Sequence, residues 1–254
     1  MTSQQSLNWA TQKLTDKKIN SANLDAEILL SLVLQKPKEY LYTHPEHRLT
    51  KEQLKQFNKL IKRRIDHEPI AYLIGQKEFY GLKFIVNKHV LVPRPESEKI
   101  IDEALKIIKS IFPINDQRLT ICDIGTGSGC LIISLAKELQ KLKKIDSFEL
   151  IATDISKKAL KVAKANAAIH QVDKYINFIN CYLLKPLKNQ KIDLIIANLP
   201  YLSKDDVKNQ VSIKKEPKKA LIGNYDKFFK QISILDYKPT VIWEDKEGVK
   251  LYTN

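Results

Sequence analysis

The chain holds only seven glycines in 254 residues, and three of them (Gly125, Gly127 and Gly129) fall within five positions. A glycine-poor chain that gathers its glycines has a local backbone need, either a positive φ or an approach closer than a Cβ allows. The run Asp123-Ile124-Gly125-Thr126-Gly127-Ser128-Gly129 follows an apolar stretch, 119–124, and opens a helical pattern over 130–144. That is the strand–turn–helix setting of a nucleotide-type site. The dinucleotide fingerprint is excluded, because the third glycine stands two residues after the second rather than three. A phosphate-binding P-loop is excluded too, because no Lys-Ser or Lys-Thr pair follows.

From residue 118 onward, strand and helix patterns alternate. Apolar runs at 119–124, 148–153, 176–181, 192–197 and 240–243 read as strands, and 130–144 and 157–170 as helices, the latter with Ser156 as its cap. Nearly continuous apolar strands have both faces covered, and alternation of this kind predicts an α/β domain with a parallel sheet. Residues 1–70 instead place apolar residues at three- and four-residue steps, as in 24–34 and 49–65, separated by Pro37 and Pro45. This predicts a small helical bundle in which Thr50 and Gln53 form a capping box. Near-alternation of Phe79, Tyr80, Leu82, Phe84, Val86, Val90 and Val92, with Gly81 and Asn87-Lys88 as turns, predicts a β-hairpin connector. Pro95 suits the first turn of the next helix, which is expected to stop before Pro113. The resulting division is 1–85, helical, and 86–254, α/β.

Charge and cysteine content bound the function. The net charge is +14, but only five of the 43 basic residues are arginine and the lysines run along the whole chain. A nucleic-acid groove favours arginine forks, so the charge marks a lysine bias, and an acidic macromolecular partner fits equally well. No apolar run approaches the ~18 residues of a membrane span. The start, MTSQQSLNWATQKL, has neither the basic nor the apolar part of a signal peptide. Cys122, Cys130 and Cys181 read as reduced thiols of a cytoplasmic protein, and His44, His47, His67, His89 and His170 show no metal spacing.

Three strand ends carry chemistry. An acidic residue ahead of a Gly-x-Gly-x-Gly turn, Asp123 before Gly125, Thr126, Gly127, Ser128 and Gly129, resembles the first motif of S-adenosylmethionine-dependent methyltransferases, whose cofactor carries a sulfonium and an ammonium. Asp154 ends the next strand, where a carboxylate can accept both ribose hydroxyls. Asn198-Leu199-Pro200-Tyr201 ends the strand 192–197 and resembles the catalytic signature of enzymes that methylate planar amino groups. Such a nitrogen is a poor nucleophile because its lone pair is delocalised. The Asn198 side-chain oxygen and the Leu199 carbonyl can hold both its N–H bonds, Pro200 stiffens the loop, and Tyr201 can pack on the flat group.

The chain as a whole resembles the release factor glutamine methyltransferase family, the HemK/PrmC type. The family's PRPETE-like segment is here Pro93-Arg94-Pro95-Glu96-Ser97-Glu98. Its P-x-A-Y-x-x-G stretch is matched by Pro69, Ala71, Tyr72 and Gly75 behind Arg63 and Arg64. Its DA-x-x-LL helix is matched by Asp25, Ala26, Leu29 and Leu30, and its E-P-x-x-A-L segment by Glu216, Pro217, Ala220 and Leu221. The resemblance implies a Rossmann-like class I methyltransferase domain behind a helical substrate-recognition domain. It also implies S-adenosyl-L-methionine as cofactor and, as substrate and partner, the Gly-Gly-Gln loop glutamine of a peptide chain release factor, met by a monomer. Residues 125–129, Asp154 and Asn198 would hold the cofactor and residues 198–201 the glutamine. Tyr182 stands where an aromatic residue stacks near the adenine, and reads equally as core packing. The pattern departs from the family at Leu199, where a proline is usual, at Cys181, where many relatives have aspartate, and in a C-terminal part that looks shortened, with one strand where an antiparallel pair is expected. Asn-Leu-Pro-Tyr is more typical of rRNA adenine dimethylases, so an N(6)-adenine methyltransferase acting on RNA or DNA is the alternative. A non-catalytic binding protein that keeps the fold is a third reading.

Overall fold

The computed structural model describes residues 1–111, 118–187, 189–209, 213–223, 225–235 and 237–253. The chain divides into two units, one built on Met1–Gly75 and the other on Gln76–Asn209 and the chain from Glu216 onward.

The first unit is helical: α1 (Ser3–Thr15), α2 (Ala22–Leu34), α3 (Lys38–Thr43), α4 (Lys51–Ile65) and α5 (Ile70–Ile74). The Thr50 hydroxyl accepts the Gln53 N–H at 3.1 Å while the Gln53 side chain accepts the Thr50 N–H at 2.9 Å, the capping box expected from sequence. Thr2 and Gln5 repeat it on α1. Each box satisfies two backbone donors that a helix start leaves open. Leu14, Leu29, Leu30, Phe57 and Ile61 fill the core. At its edge Arg64 donates to Asp25 at 2.7 Å, and Ser21 donates to the same carboxylate oxygen at 2.8 Å.

The second unit opens with the hairpin β1 (Gln76–Phe79) and β2 (Leu82–Ile85). Its turn residues Tyr80 and Gly81 have φ of +50° and +70°, the primed turn that matches strand twist. The sequence reading grouped this hairpin with the bundle. It packs instead on the second unit, because Phe79 and Phe84 enter the core beside α6 (Glu98–Ile111). The Tyr80 N–H and hydroxyl donate to Glu98 (2.9 Å) and Asp102 (2.8 Å) of that helix. The expected stop before Pro113 lies outside the described residues.

The sheet contains β3 (Leu119–Ile124), β4 (Phe148–Asp154), β5 (Ile176–Asn180), β6 (Leu194–Ala197), β7 (Thr240–Asp245) and β8 (Gly248–Tyr252), in the order β5-β4-β3-β6-β7-β8. All neighbours are parallel except β7 and β8. This is a Rossmann-like α/β sheet. Alternate residues of each strand serve opposite faces, as period two requires. Ile121, Leu150, Leu194 and Ile242 meet α6, α7 (Cys130–Lys141) and α8 (Lys157–Ile169), whereas Cys122, Ile151, Ile195 and Val241 meet α11 (Asp226–Ser233). The short helices α9 (Lys204–Asn209) and α10 (Lys218–Leu221) lie in the connection after β6.

Two strand expectations are corrected. β6 begins at Leu194 rather than at 192, because Asp193 binds the Thr120 backbone in place of a ladder residue. The C-terminal stretch does form an antiparallel partner, β8, turned by Lys246-Glu247 into Gly248 at φ +117°. Among the described residues no helix is long and apolar enough to cross a membrane.

Candidate active site

The carboxyl ends of β3, β4 and β6 open into one cavity of about 450 Å³, within the ~300–1,000 Å³ of small-molecule sites. The glycine run forms one wall. Gly125 and Gly129 have φ of +74° and +82°, and a Cβ on Gly129 would stand 2.7 Å from Ile133 Cδ1 and 3.2 Å from Ala163 Cβ. Glycine is therefore dictated there by both backbone and packing. The Gly125 and Thr126 N–H groups donate to the Thr153 carbonyl, tying the loop to the end of β4. Asn166, fully buried on α8, accepts the Ile85 N–H and donates to the Ile85 and Ser128 carbonyls. It thereby binds the hairpin to the glycine loop.

Asp123 is fully buried. One oxygen accepts the Thr126 hydroxyl at 2.6 Å and the other has no hydrogen-bond partner. Burial pushes this carboxyl up to about 7. Asp154 is engaged by the Gly127 N–H (3.0 Å) and the Ser156 N–H (2.7 Å), one on each oxygen, and burial raises it as well. A carboxylate offers about four acceptor positions, so each oxygen retains capacity for a hydroxyl. Tyr182 lines the cavity and stays 39% exposed. Cys181 lines it too, its thiol turned to the Leu183 carbonyl.

At the end of β6 the Asn198 side-chain NH2 donates to Ser97 Oγ at 2.7 Å and to Glu244 Oε2 at 3.2 Å. Leu199 is buried, and its carbonyl accepts the Tyr225 hydroxyl at 3.2 Å. Asn198, Leu199 and Pro200 line the cavity together with Gly125, Thr126, Gly127, Ser128 and Asp154. Asp123, Gly129 and Tyr201 do not line it. Asp123 and Gly129 brace the loop, and Tyr201 lies against Glu244 and Arg94, with burial raising its phenol.

Behind this wall stand residues to which the sequence pattern gives no role. Glu216 accepts both the Val92 N–H (3.0 Å) and the Arg94 guanidinium, clasping the PRPESE segment to the EPKKAL segment. Both segments were visible as motifs, but 122 residues part Arg94 from Glu216 and nothing local pairs them. Glu244 carried no sequence signal.

Residues 5–75 match the family model "PrmC N-terminal domain", and residues 115–242, half of the chain, match "Methyltransferase domain". The release factor glutamine methyltransferase of Coxiella burnetii is 38% identical over 203 residues, covering 80% of this chain and 69% of that protein. The chain belongs to the release factor glutamine methyltransferase family. The family's protein from Koribacter versatilis is 36% identical, covering 88% of this chain and 76% of its own length. A bifunctional methyltransferase of Rickettsia typhi is 40% identical over 87% of this chain, which spans 45% of that protein. The chain thus spans a little under half the length of the bifunctional relatives it matches.

The methyltransferase domain takes S-adenosylmethionine as cofactor, and the residues present fit it. Asp154 suits a ribose diol, with acceptor capacity left on each oxygen, and Gly125, Thr126, Gly127 and Ser128 form the cavity wall beside it. Among the residues named, Gly125–Ser128 and Asp154 are those that would hold it, and Asp123 supports the loop from beneath.

Proposed function

We propose that the protein methylates the side-chain amide nitrogen of glutamine in the Gly-Gly-Gln loop of a peptide chain release factor, acting as a monomer in the cytoplasm. The observation that carries this reading is the orientation of Asn198. Its NH2 end is consumed by Ser97 and Glu244, so Oδ1 is the end left for a substrate, on a residue that lines the cavity.

The bound cofactor supplies a methyl group made electrophilic by its sulfonium and leaves as the neutral thioether. The chain's own task is to position the nucleophile. Asn198 Oδ1 accepts one N–H of the substrate amide. The Leu199 carbonyl, which has a second lone pair beyond the one turned to Tyr225, accepts the other. Two fixed acceptors turn the nitrogen towards the methyl group and stabilise the positive charge that grows on it. The new N–C bond forms as the C–S bond breaks, and the methylated nitrogen then gives its proton to solvent. Pro200 stiffens the loop and Tyr201 supports it from behind. The unit built on Met1–Gly75 is assigned recognition of the release factor beyond its glutamine.

The test is transfer from methyl-labelled S-adenosylmethionine to a purified release factor, to the same factor with its loop glutamine changed to alanine, and to bulk rRNA. Label on the intact factor alone is expected. Label on rRNA overturns the reading in favour of an adenine methyltransferase, and absence of both label and cofactor binding in favour of a binding protein.

A further inference from the structure

The two ends of an asparagine amide have nearly the same shape, so only hydrogen bonding decides which end a substrate meets. At Asn198 that decision is made by two residues that touch neither cavity wall motif in sequence. Ser97 precedes α6, and its hydroxyl donates to Glu244 Oε2 at 2.5 Å. Its single proton is thereby used, so towards Asn198 it can only accept. Glu244, on β7, can only accept while ionised. Both therefore require N–H at the facing end of Asn198, as the contacts of 2.7 and 3.2 Å record. The three side chains close a triangle from segments 101 and 46 residues apart.

We infer that Glu244 is a positioning residue for the transfer: its carboxylate, with Ser97 as relay, locks Asn198 so that Oδ1 alone faces the substrate, and it polarises that amide so that Oδ1 strengthens as an acceptor while charge grows on the substrate nitrogen. This rests on the proposed reading of Asn198 as the acceptor of the glutamine amide. Hydrogen bonds in a chain reinforce one another, most of all when one member is charged. The effect grows with transition-state charge, so it belongs to kcat more than to KM. Burial raises the Glu244 carboxyl above its ordinary value. The groups facing it are Ser97, Glu96 and Arg94 from the segment before α6 and Tyr201 after β6, and the Tyr225 hydroxyl shares its one proton between the Glu244 and Leu199 backbone carbonyls.

Glu244→Gln keeps the shape but can offer an NH2 of its own to Ser97, freeing Asn198 to turn over. It is expected to lower kcat at least tenfold, towards the roughly 10²-fold that loss of one preorganised hydrogen-bonding group costs. KM for the release factor and cofactor affinity should change by less than threefold. Ser97→Ala should lower kcat in the same way, and Ser97→Thr, which restores a hydroxyl, should recover it. The acid-side fall of kcat in the parent protein should be absent in Glu244→Gln. Independently of turnover, the Asn198 side-chain 15N–1H2 signals should be protected from water exchange in the parent protein and lose that protection in Glu244→Gln. If the parent protein labels the release factor and Glu244→Gln keeps kcat within twofold, or loses only KM or cofactor affinity, the inference is overturned while the proposed function stands. If the parent protein itself labels no release factor, both fall.

Discussion

Leu199 lies against Gly125: a Cβ built on Gly125 would stand 2.9 Å from Leu199 Cδ2, and Gly125 has φ +74°. The loop after β6 and the glycine loop are thus in van der Waals contact. Gly125→Ala should cost about 1–2 kcal/mol from the left-handed backbone alone and push Leu199 aside. We expect cofactor affinity to fall at least tenfold by calorimetric titration. Leu199→Ala should relieve the clash but not the strain, so the double variant should show less than additive loss in a double-mutant cycle.

Gly223 tests the same loop from the other side. A Cβ there would stand 2.7 Å from the Pro200 carbonyl oxygen and 3.0 Å from Pro200 Cβ. Backbone and a proline ring cannot swing away as a leucine methyl can. Gly223→Ala should displace residues 198–201, lowering kcat by an order of magnitude or more while cofactor affinity holds. Equal loss of both would mean that the loop also shapes the cofactor site.

Asn198→Ala removes the acceptor and nothing that braces the glycine wall. Transfer to the release factor should fall by roughly 10²–10³-fold with cofactor affinity within threefold, read by single-turnover kinetics and titration.

Asp123 makes stability depend on pH in a fixed sense. Its carboxyl is pushed up to about 7 from an ordinary value of 3.8. Between these values the native chain holds a proton that the unfolded chain has lost, so this group's contribution falls as pH rises through that window and is lowest above 7. Asp123→Asn should therefore raise the Tm of the cofactor-free protein at pH 8, with the gain vanishing near pH 4. Thermal unfolding at the two pH values checks this.

In the helical unit, Arg64 is half-buried against a buried Asp25, with side-chain exposures of 14% and 3%. Asp25→Ala leaves a half-buried guanidinium without its counter-ion and should cost about 3 kcal/mol, the low end for a buried pair. Asp25→Ala combined with Arg64→Met should recover most of that loss in denaturant titrations.

What was legible in the sequence was local. The glycine cluster, the acidic strand ends and the Asn-Leu-Pro-Tyr loop each lie within a few residues of a strand whose apolar run announces it, and strand period and turn chemistry act over that same distance. The Thr50–Gln53 box was readable because both partners share one helical turn. β8 was not, since Val249 and Leu251 alternate with Lys250 over only five residues, Gly248–Tyr252, and its pairing depends on a turn that β7 alone gives a register.

Local patterns therefore suffice for the elements, for the glycine wall and for the place of Asn198 at a strand end. The direction of the Asn198 amide comes from long-range packing, because Ser97 and Glu244 reach it from other strand and helix ends, and hydrogen-bond direction is settled by what donates and accepts across space.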